Sequence, residues 1–390
     1  MFDVGSLCAH FSRLVDKRKA RGKRYSAMTL LVLMLLAKLA GQDSIEGIAD
    51  WCKQREEGLS KLLNLKRVST PHATTFGRFL RQAIDPQQLE AELRAYFEKQ
   101  SAVRKDTQRA IDGKQIRGTA LPTSTETEAD NVYLLGVYAP AAGVMVLQAE
   151  LGAGQAELTC APQVLKGLDL QGKLVSGDAL FTQRGLSAQI VAAGGDFLWK
   201  VKQNQPQLLA DIVRLFTPPA PARRGFSNPP LDFRTYTDHR SGHGRSETRT
   251  ITVSSLLKGD SVTNGSDWPH LAQVFKLECR RIDKKTGRIT QTVHYGVTSQ
   301  SADKASPRKL LEQTLAHWAI EGGSHQRRDG TFNEDHCNLR RGHSAHIMAI
   351  LNNIAIALIL QAGFVNAAHA RRVFDVHIEK AFRALTTAPR

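Results

Sequence analysis

Between residues 107 and 203, short apolar runs alternate with amphipathic ones in the order β, β, β, α, β, α, β, which leaves few ways to bury every apolar face. Three strands come first: "RAID", then the runs Val132–Tyr138 and Val144–Leu151, which flank a small-residue turn and read as a hairpin. A helical "ELTCAPQVLKGL", a strand "KLVSGDAL", a helical "TQRGLSAQIVAAGG" and a strand "DFLWKVKQ" follow. Strands separated by helices of that length call for parallel pairing through crossover connections.

This is the element order of a ribonuclease-H-like mixed sheet, an α/β fold with flanking helices whose last helix should follow directly. Here that helix is deferred. Residues 203–301 are a β-rich insertion: a Pro-rich "FTPPAPARRGFSNPPLDF", then strands in "RTYTDH", "SETRTITVSS", "QVFKLECRRI" and "RITQTVHYGVT", with a hairpin turn at Lys284–Arg288. Helical periodicity resumes at Ser306 and continues in "HSAHIMAILNNIAIALILQAG". Residues 1–103 read as an all-α N-terminal domain, with helices opened by Ser44 and by Thr70 and Pro71. The expected organisation is therefore 1–103 as a helical domain, 104–202 with 302–390 as the ribonuclease-H-like core and its C-terminal helices, and 203–301 as the insertion.

Charge narrows the partners. Lys and Arg number 53 against 37 Asp and Glu, a formal charge of +16, and such a surplus favours a polyanion, with nucleic acid foremost. The five cysteines are odd in number, widely spaced and without a CxxC pair, which suits plain thiols in a reducing compartment. Thr29–Gly41 is apolar but too short to span a bilayer and carries Lys38, so it reads as a buried helix. A cytoplasmic protein without membrane insertion is expected.

Asp112 in "RAIDGK" and Asp178 in "LVSGDAL" each end an apolar strand, and the two strands are expected to be neighbours. Ligands of open α/β sheets gather at such strand ends. Two carboxylates there repel unless a cation holds them ionised, and a divalent metal does so. The competing readings are an Asp-Gly turn for Asp112 and a helix cap for Asp178. A third acid should come from the helix after the insertion, and Glu321 beside Trp318 and Ile320 is preferred over Glu312, Asp329, Glu334 and Asp335 because it falls on the apolar side of that helix. Its competing reading is an ion pair with His325 or Arg328. His317, His325, His336, His343, His346 and Cys337 cluster in sequence, but without HExxH or CxxC spacing a zinc site is rejected.

The stretches "RGKRYSAMTLLVLMLLAKLAG", "AIDGKQIRG", "LVSGDALFTQ", "KVKQNQP" and "HWAIEGGSHQRRDGTFNED" resemble the H-repeat-associated transposases, a branch of the DDE transposases of bacterial insertion sequences, over nearly the whole chain. The resemblance implies Asp112, Asp178 and Glu321 as catalytic and metal-binding residues, with Leu315, Gly322 and Gln326 standing where the family pattern has Arg, Asn and Trp. It implies metal-dependent cleavage of double-stranded DNA and strand transfer by a homodimer or larger synaptic assembly. Oxygen ligands suit Mg2+, with Mn2+ substituting. Lys114, Arg117, Lys200, Lys202 and Arg328 flank the acids in sequence and are the expected phosphate-binding residues, together with Arg78 and Arg81 on a short N-terminal helix placed as a DNA-reading helix would be. The alternatives are a transposase-derived DNA-binding protein that no longer cuts and a metal-dependent nuclease without strand transfer. Trp199 and Trp318 are expected in the core.

Overall fold

A computed structural model describes residues 3–119, 132–152, 155–217, 232–242, 244–257 and 267–388. Most of the expected Pro-rich opening of the insertion lies outside the described residues. The chain divides into two units: Met1–Asp106 with Asp112–Glu157 and Ala319–Arg390, and Thr107–Ile111 with Leu158–Trp318. It is an α/β chain with a large mixed sheet and many helices.

The second unit holds the sheet order β1-β4-β5-β9-β8-β7-β6, from the first part, up to Ile111, of β1 (Gln108–Ile116), and from β4 (Leu174–Gly177), β5 (Asp196–Val201), β6 (Arg234–Gly242), β7 (Arg245–Ser254), β8 (Gln273–Asp283) and β9 (Ile289–Thr298). β1 pairs parallel with β4, as expected, with Gln108 opposite Leu174 and Ile111 opposite Gly177. β5 continues the parallel run, reached through the Arg184–Ala192 helix. β9 then enters antiparallel to β5, and the four strands of the 234–298 region form an antiparallel meander. The Lys284–Arg288 turn joins β8 to β9, with Gly287 at φ +70°, a conformation that costs glycine little. Buried Leu174, Leu198, Val253, Phe275 and Leu277 form the core against Leu310 and Leu311 of the Pro307–His317 helix, which Ser306 caps. Trp199 is fully buried beside Phe197, while Trp318 is half-buried and packs against this core. The helix Pro206–Phe216, opened by a proline at its first turn, stands at the start of the expected β-rich insertion, which is therefore not all β.

In the first unit β2 (Val132–Ala139) pairs antiparallel with β3 (Val144–Glu150), in the order β3-β2-β1. The Ala27–Leu39 helix is apolar on nearly every face and is buried accordingly, so it is the hub of the helical packing rather than an amphipathic cover. Ser344–Gln361 is the second such hub. It is long and apolar enough to cross a membrane, yet 89% of it is buried within the protein. The two hubs are joined by a buried hydrogen bond, Lys38 Nζ to Asn352 Oδ1 at 2.7 Å. The helix expected to open at Thr70 and Pro71 instead spans Ala73–Gln82, because the His72 Nδ1 accepts the Thr74 amide and satisfies a first-turn donor. All five cysteines are free.

Burial also sets a pH dependence. Glu90, buried under β3, accepts the Gln148 amide at 3.2 Å, and burial pushes its carboxyl up to about 8. A group whose folded pKa lies above its unfolded value stabilises below the unfolded pKa and loses that contribution as pH rises through the folded one. Glu90→Gln is therefore expected to flatten the stability profile between about pH 4.5 and 8 and to raise stability at pH 8 by on the order of 1 kcal/mol. Urea melts across that range check it, and an unchanged slope would contradict the assignment.

Candidate active site

The candidate residues follow from where the ladder between two strands ends. In the second unit the β1 and β4 ladder closes at the pair Ile111 and Gly177. The next residues along the chain are Asp112 and Asp178. Gly177 is required there, because a Cβ would come within 2.8 Å of the Trp199 ring and 3.1 Å of Ile111. Asp178 then turns out of the strand at the start of the Ala179–Phe181 turn, where its side chain makes no capping hydrogen bond, so the cap reading fails.

The Asp178 carboxylate faces two donors of its own unit. Lys200 Nζ and His317 Nε2 each lie 3.8 Å from Oδ1, at electrostatic rather than hydrogen-bond range. His317 is itself oriented from behind: its Nδ1 meets Ser176 Oγ at 3.3 Å, and Gln108 Nε2 donates to that same hydroxyl at 2.8 Å and to the Gln313 carbonyl at 2.9 Å. The His317 imidazole and then Lys200 and Lys202 hold the Asp178 carboxyl at about 2, against a burial that works the other way. It is an ionised oxygen donor at every physiological pH.

Asp112 is described within the first unit. It does not end its strand, since β1 runs on to Ile116, and the Asp-Gly pair is extended rather than a turn. Gly113 serves close packing instead: a Cβ there would lie 1.9 Å from the Glu157 carboxylate. His325 Nδ1 stands 3.5 Å from Asp112 Oδ2. Burial, then Arg328 and Lys114, push the His325 pKa down to about 3, so it faces Asp112 as a neutral imidazole.

Glu321 departs from expectation. It is exposed, and it opens a π-helical turn, Glu321–His325, rather than sitting on the apolar side of a regular helix. Such turns are frequent at functional sites. Neither proposed partner binds it, for His325 faces Asp112 and Arg328 pairs with Glu334. Among the described residues it forms no ion pair, and no group of three His, Cys, Asp or Glu side chains is gathered closely enough to hold a metal ion. The donor chemistry of the aspartates nevertheless fits a hard divalent cation, since both are oxygen ligands and Asp178 is ionised.

Two of the expected phosphate-binding residues are otherwise engaged. Arg328 is buried, with its guanidinium on both Glu334 oxygens at 2.9 Å and on Gln148 Oε1 at 2.9 Å. Lys114 donates to both Asp329 oxygens at 2.6 and 2.8 Å, and its side chain is only 8% exposed. Arg117, Lys202, Arg78 and Arg81 are exposed, and Lys200 belongs to the Asp178 surroundings. Sequence reasoning missed His317 and His325 as partners of the aspartates. The available signal was spacing, since each stands four residues from Glu321, on either side of it.

The transposase DDE domain family model matches residues 104–358, and a DDE_Tnp_1-associated model matches residues 8–97. The chain belongs to the DDE transposase family. The resemblance to H-repeat-associated transposases holds. The H repeat-associated putative transposase YhhI of Escherichia coli (strain K12) is 24% identical over 389 residues, covering 99% of this chain and 98% of that protein. An uncharacterized protein in the dhlA 3′ region of Xanthobacter autotrophicus is 30% identical over 307 residues, covering 75% of this chain and 94% of that protein. A solved piggyBac transposase synaptic complex with hairpin DNA covers 98% of this chain and 78% of its own at 10% identity and TM-score 0.39, a likeness on which nothing below rests. The enzyme is a transposase, and its family generally uses a divalent metal.

Proposed function

We propose that Asp112, Asp178 and Glu321 are the carboxylates on which this transposase cuts double-stranded DNA at insertion-sequence ends and transfers the strand. The observation that carries the reading is the register of β1 against β4, whose last pair, Ile111 and Gly177, is followed on each strand by an aspartate. A ribonuclease-H-like core over 104–202 and 302–390, interrupted by the 203–301 insertion, is the fold this reading implies. The N-terminal 1–103 segment is its DNA-binding part.

The three carboxylates would hold Mg2+, with Mn2+ substituting. When bound, a pair of such ions supplies activation of a water or a 3′-hydroxyl and stabilises the leaving oxygen. Asp178 contributes a carboxylate kept charged by His317 and Lys200, and His317 is held in place by Ser176 and Gln108. Asp112 contributes a carboxylate faced by neutral His325, so no positive charge competes there. Glu321, exposed at the π turn, completes the set. Lys200, Lys202 and Arg117 supply phosphate contacts that carry no sequence information. A homodimer or larger assembly joins two ends, acting in the bacterial cytoplasm.

Incubating the protein with a duplex carrying its native element ends and Mn2+, then sizing the products, tests the reading. Cleaved ends and joined target strands are expected. Cleavage without joined products indicates a nuclease, and intact duplex despite binding indicates a protein that has lost the chemistry.

A further inference from the structure

The first unit carries a groove, of about 810 Å³, between the Lys17–Tyr25 loop and the outer face of the Ala73–Gln82 helix. Half of the residues that line it are Lys or Arg. Lys19, Arg21 and Arg24 come from the loop and Arg78 from the helix, and among the described residues none of these four is in an ion pair and no acidic side chain lines the groove. Concentrating uncompensated like charge in a concavity raises the free energy of the bare protein and focuses a positive potential that a polyanion relieves.

The loop is built to hold that shape. Arg18 is spent internally: its guanidinium donates to Asp16 Oδ1 at 2.9 Å, Asp16 Oδ2 at 2.6 Å and the Tyr25 carbonyl at 2.7 Å, and it lies 5.3 Å over the Phe79 ring. Lys23 Nζ closes on the Asp16 carbonyl at 2.9 Å, and Tyr25 Oη meets Ser69 Oγ at 2.9 Å. One arginine thus pins both ends of the loop to the helix whose Phe76 and Phe79 face the core. The remaining cations of the loop are left exposed while the loop itself is held in place, so less loop entropy is lost when they bind.

Resting on the transposase reading, we infer that this groove grips the sugar–phosphate backbone of duplex DNA, so that the Ala73–Gln82 helix serves as one wall of a phosphate clamp rather than as a base-reading helix. Arg78, expected to read DNA, is a clamp residue on this account. Because phosphates are the same at every step, the grip is independent of sequence and sensitive to salt.

The test uses the full chain and two labelled duplexes of equal length, one with native element ends and one scrambled, titrated at several salt concentrations. The variant R21Q/R24Q/R78Q is expected to weaken binding to both duplexes equally, by about tenfold or more, and to lower the log-affinity against log-salt slope by roughly 2 to 3. K99Q/K380Q/R383Q, which removes the same charge from exposed positions outside the groove, should change neither. R21K/R24K/R78K should retain the slope, which separates lost charge from lost folding. Unchanged affinity and slope in the Gln variant overturns the clamp while the transposase reading stands. A loss confined to the native-end duplex overturns sequence independence. A wild-type protein without salt-dependent binding to either duplex removes the proposed cutting of DNA ends on which the clamp rests.

Discussion

Asp112→Ala and Asp178→Ala are each expected to abolish metal-dependent nicking, by about 10³-fold or more, while leaving DNA binding intact. An ion in such a site supplies several kcal/mol of transition-state stabilisation, and about 1.4 kcal/mol corresponds to a factor of ten in rate. Losing one of its few anionic ligands forfeits most of that. Asp178→Asn is the sharper variant, because it keeps the side chain's size while removing the charge that Lys200 and His317 face. Removing a carboxylate beside two positive or hydrogen-bonding groups adds net positive charge near the phosphates, so DNA affinity should hold or rise slightly. Nicking by either alanine variant at the wild-type rate would remove the aspartates from the chemistry. Loss of binding in step with loss of nicking would make them structural instead.

The pairing beneath that prediction was legible because it depends on local pattern. Leu174 and Val175 ahead of Gly177, and Ala110 and Ile111 ahead of Asp112, mark two short strands by local pattern, and the helix before each of β4 and β5 calls for parallel pairing. The hairpin from β8 to β9 was legible for the same reason, since Gly287 and its neighbours are turn residues in any context. What was not legible was which side chains distant in sequence engage each candidate residue. The competing Asp-Gly turn is not formed, and the approach of Glu157 accounts for Gly113 without one. Glu321 was placed by a 3.6-residue period that a π turn breaks. Arg328 and Lys114 looked like surface cations near the acids, and only tertiary contact could show that Glu334, Gln148 and Asp329 claim them. Asp178 illustrates the mixed case: its place at a strand end was readable, whereas the Gln108, Ser176 and His317 chain that orients its partner spans three separate stretches of sequence.

Arg328→Ala is expected to destabilise the first unit by about 3 to 5 kcal/mol, the usual cost of removing one partner from a buried ion pair. Arg328 and Glu334 are both buried and meet through hydrogen bonds at 2.9 Å. The pair is anchored to the helical hubs, because Asn352 donates to Glu334 Oε2 at 2.8 Å and accepts from Lys38 at 2.7 Å. Burial pushes the Glu334 carboxyl up, yet Arg328 and the Asn352 amide hold it below the usual range, so in the wild type its contribution is present at neutral pH and is lost only in acid. Without Arg328 burial works against only the Asn352 amide and the more distant Lys114, and Glu334 is expected to bind a proton on folding. The deficit should therefore widen as pH rises from about 4.5 towards neutrality and narrow in acid. Replacing both residues, as R328M/E334M, removes the orphaned charge and should recover most of the loss, since an apolar pair of similar volume is often as stable as the ion pair it replaces. Urea denaturation of the single and double variants at two pH values reads all of this directly. A single variant as stable as wild type, with weakened DNA binding instead, would return Arg328 to the DNA surface.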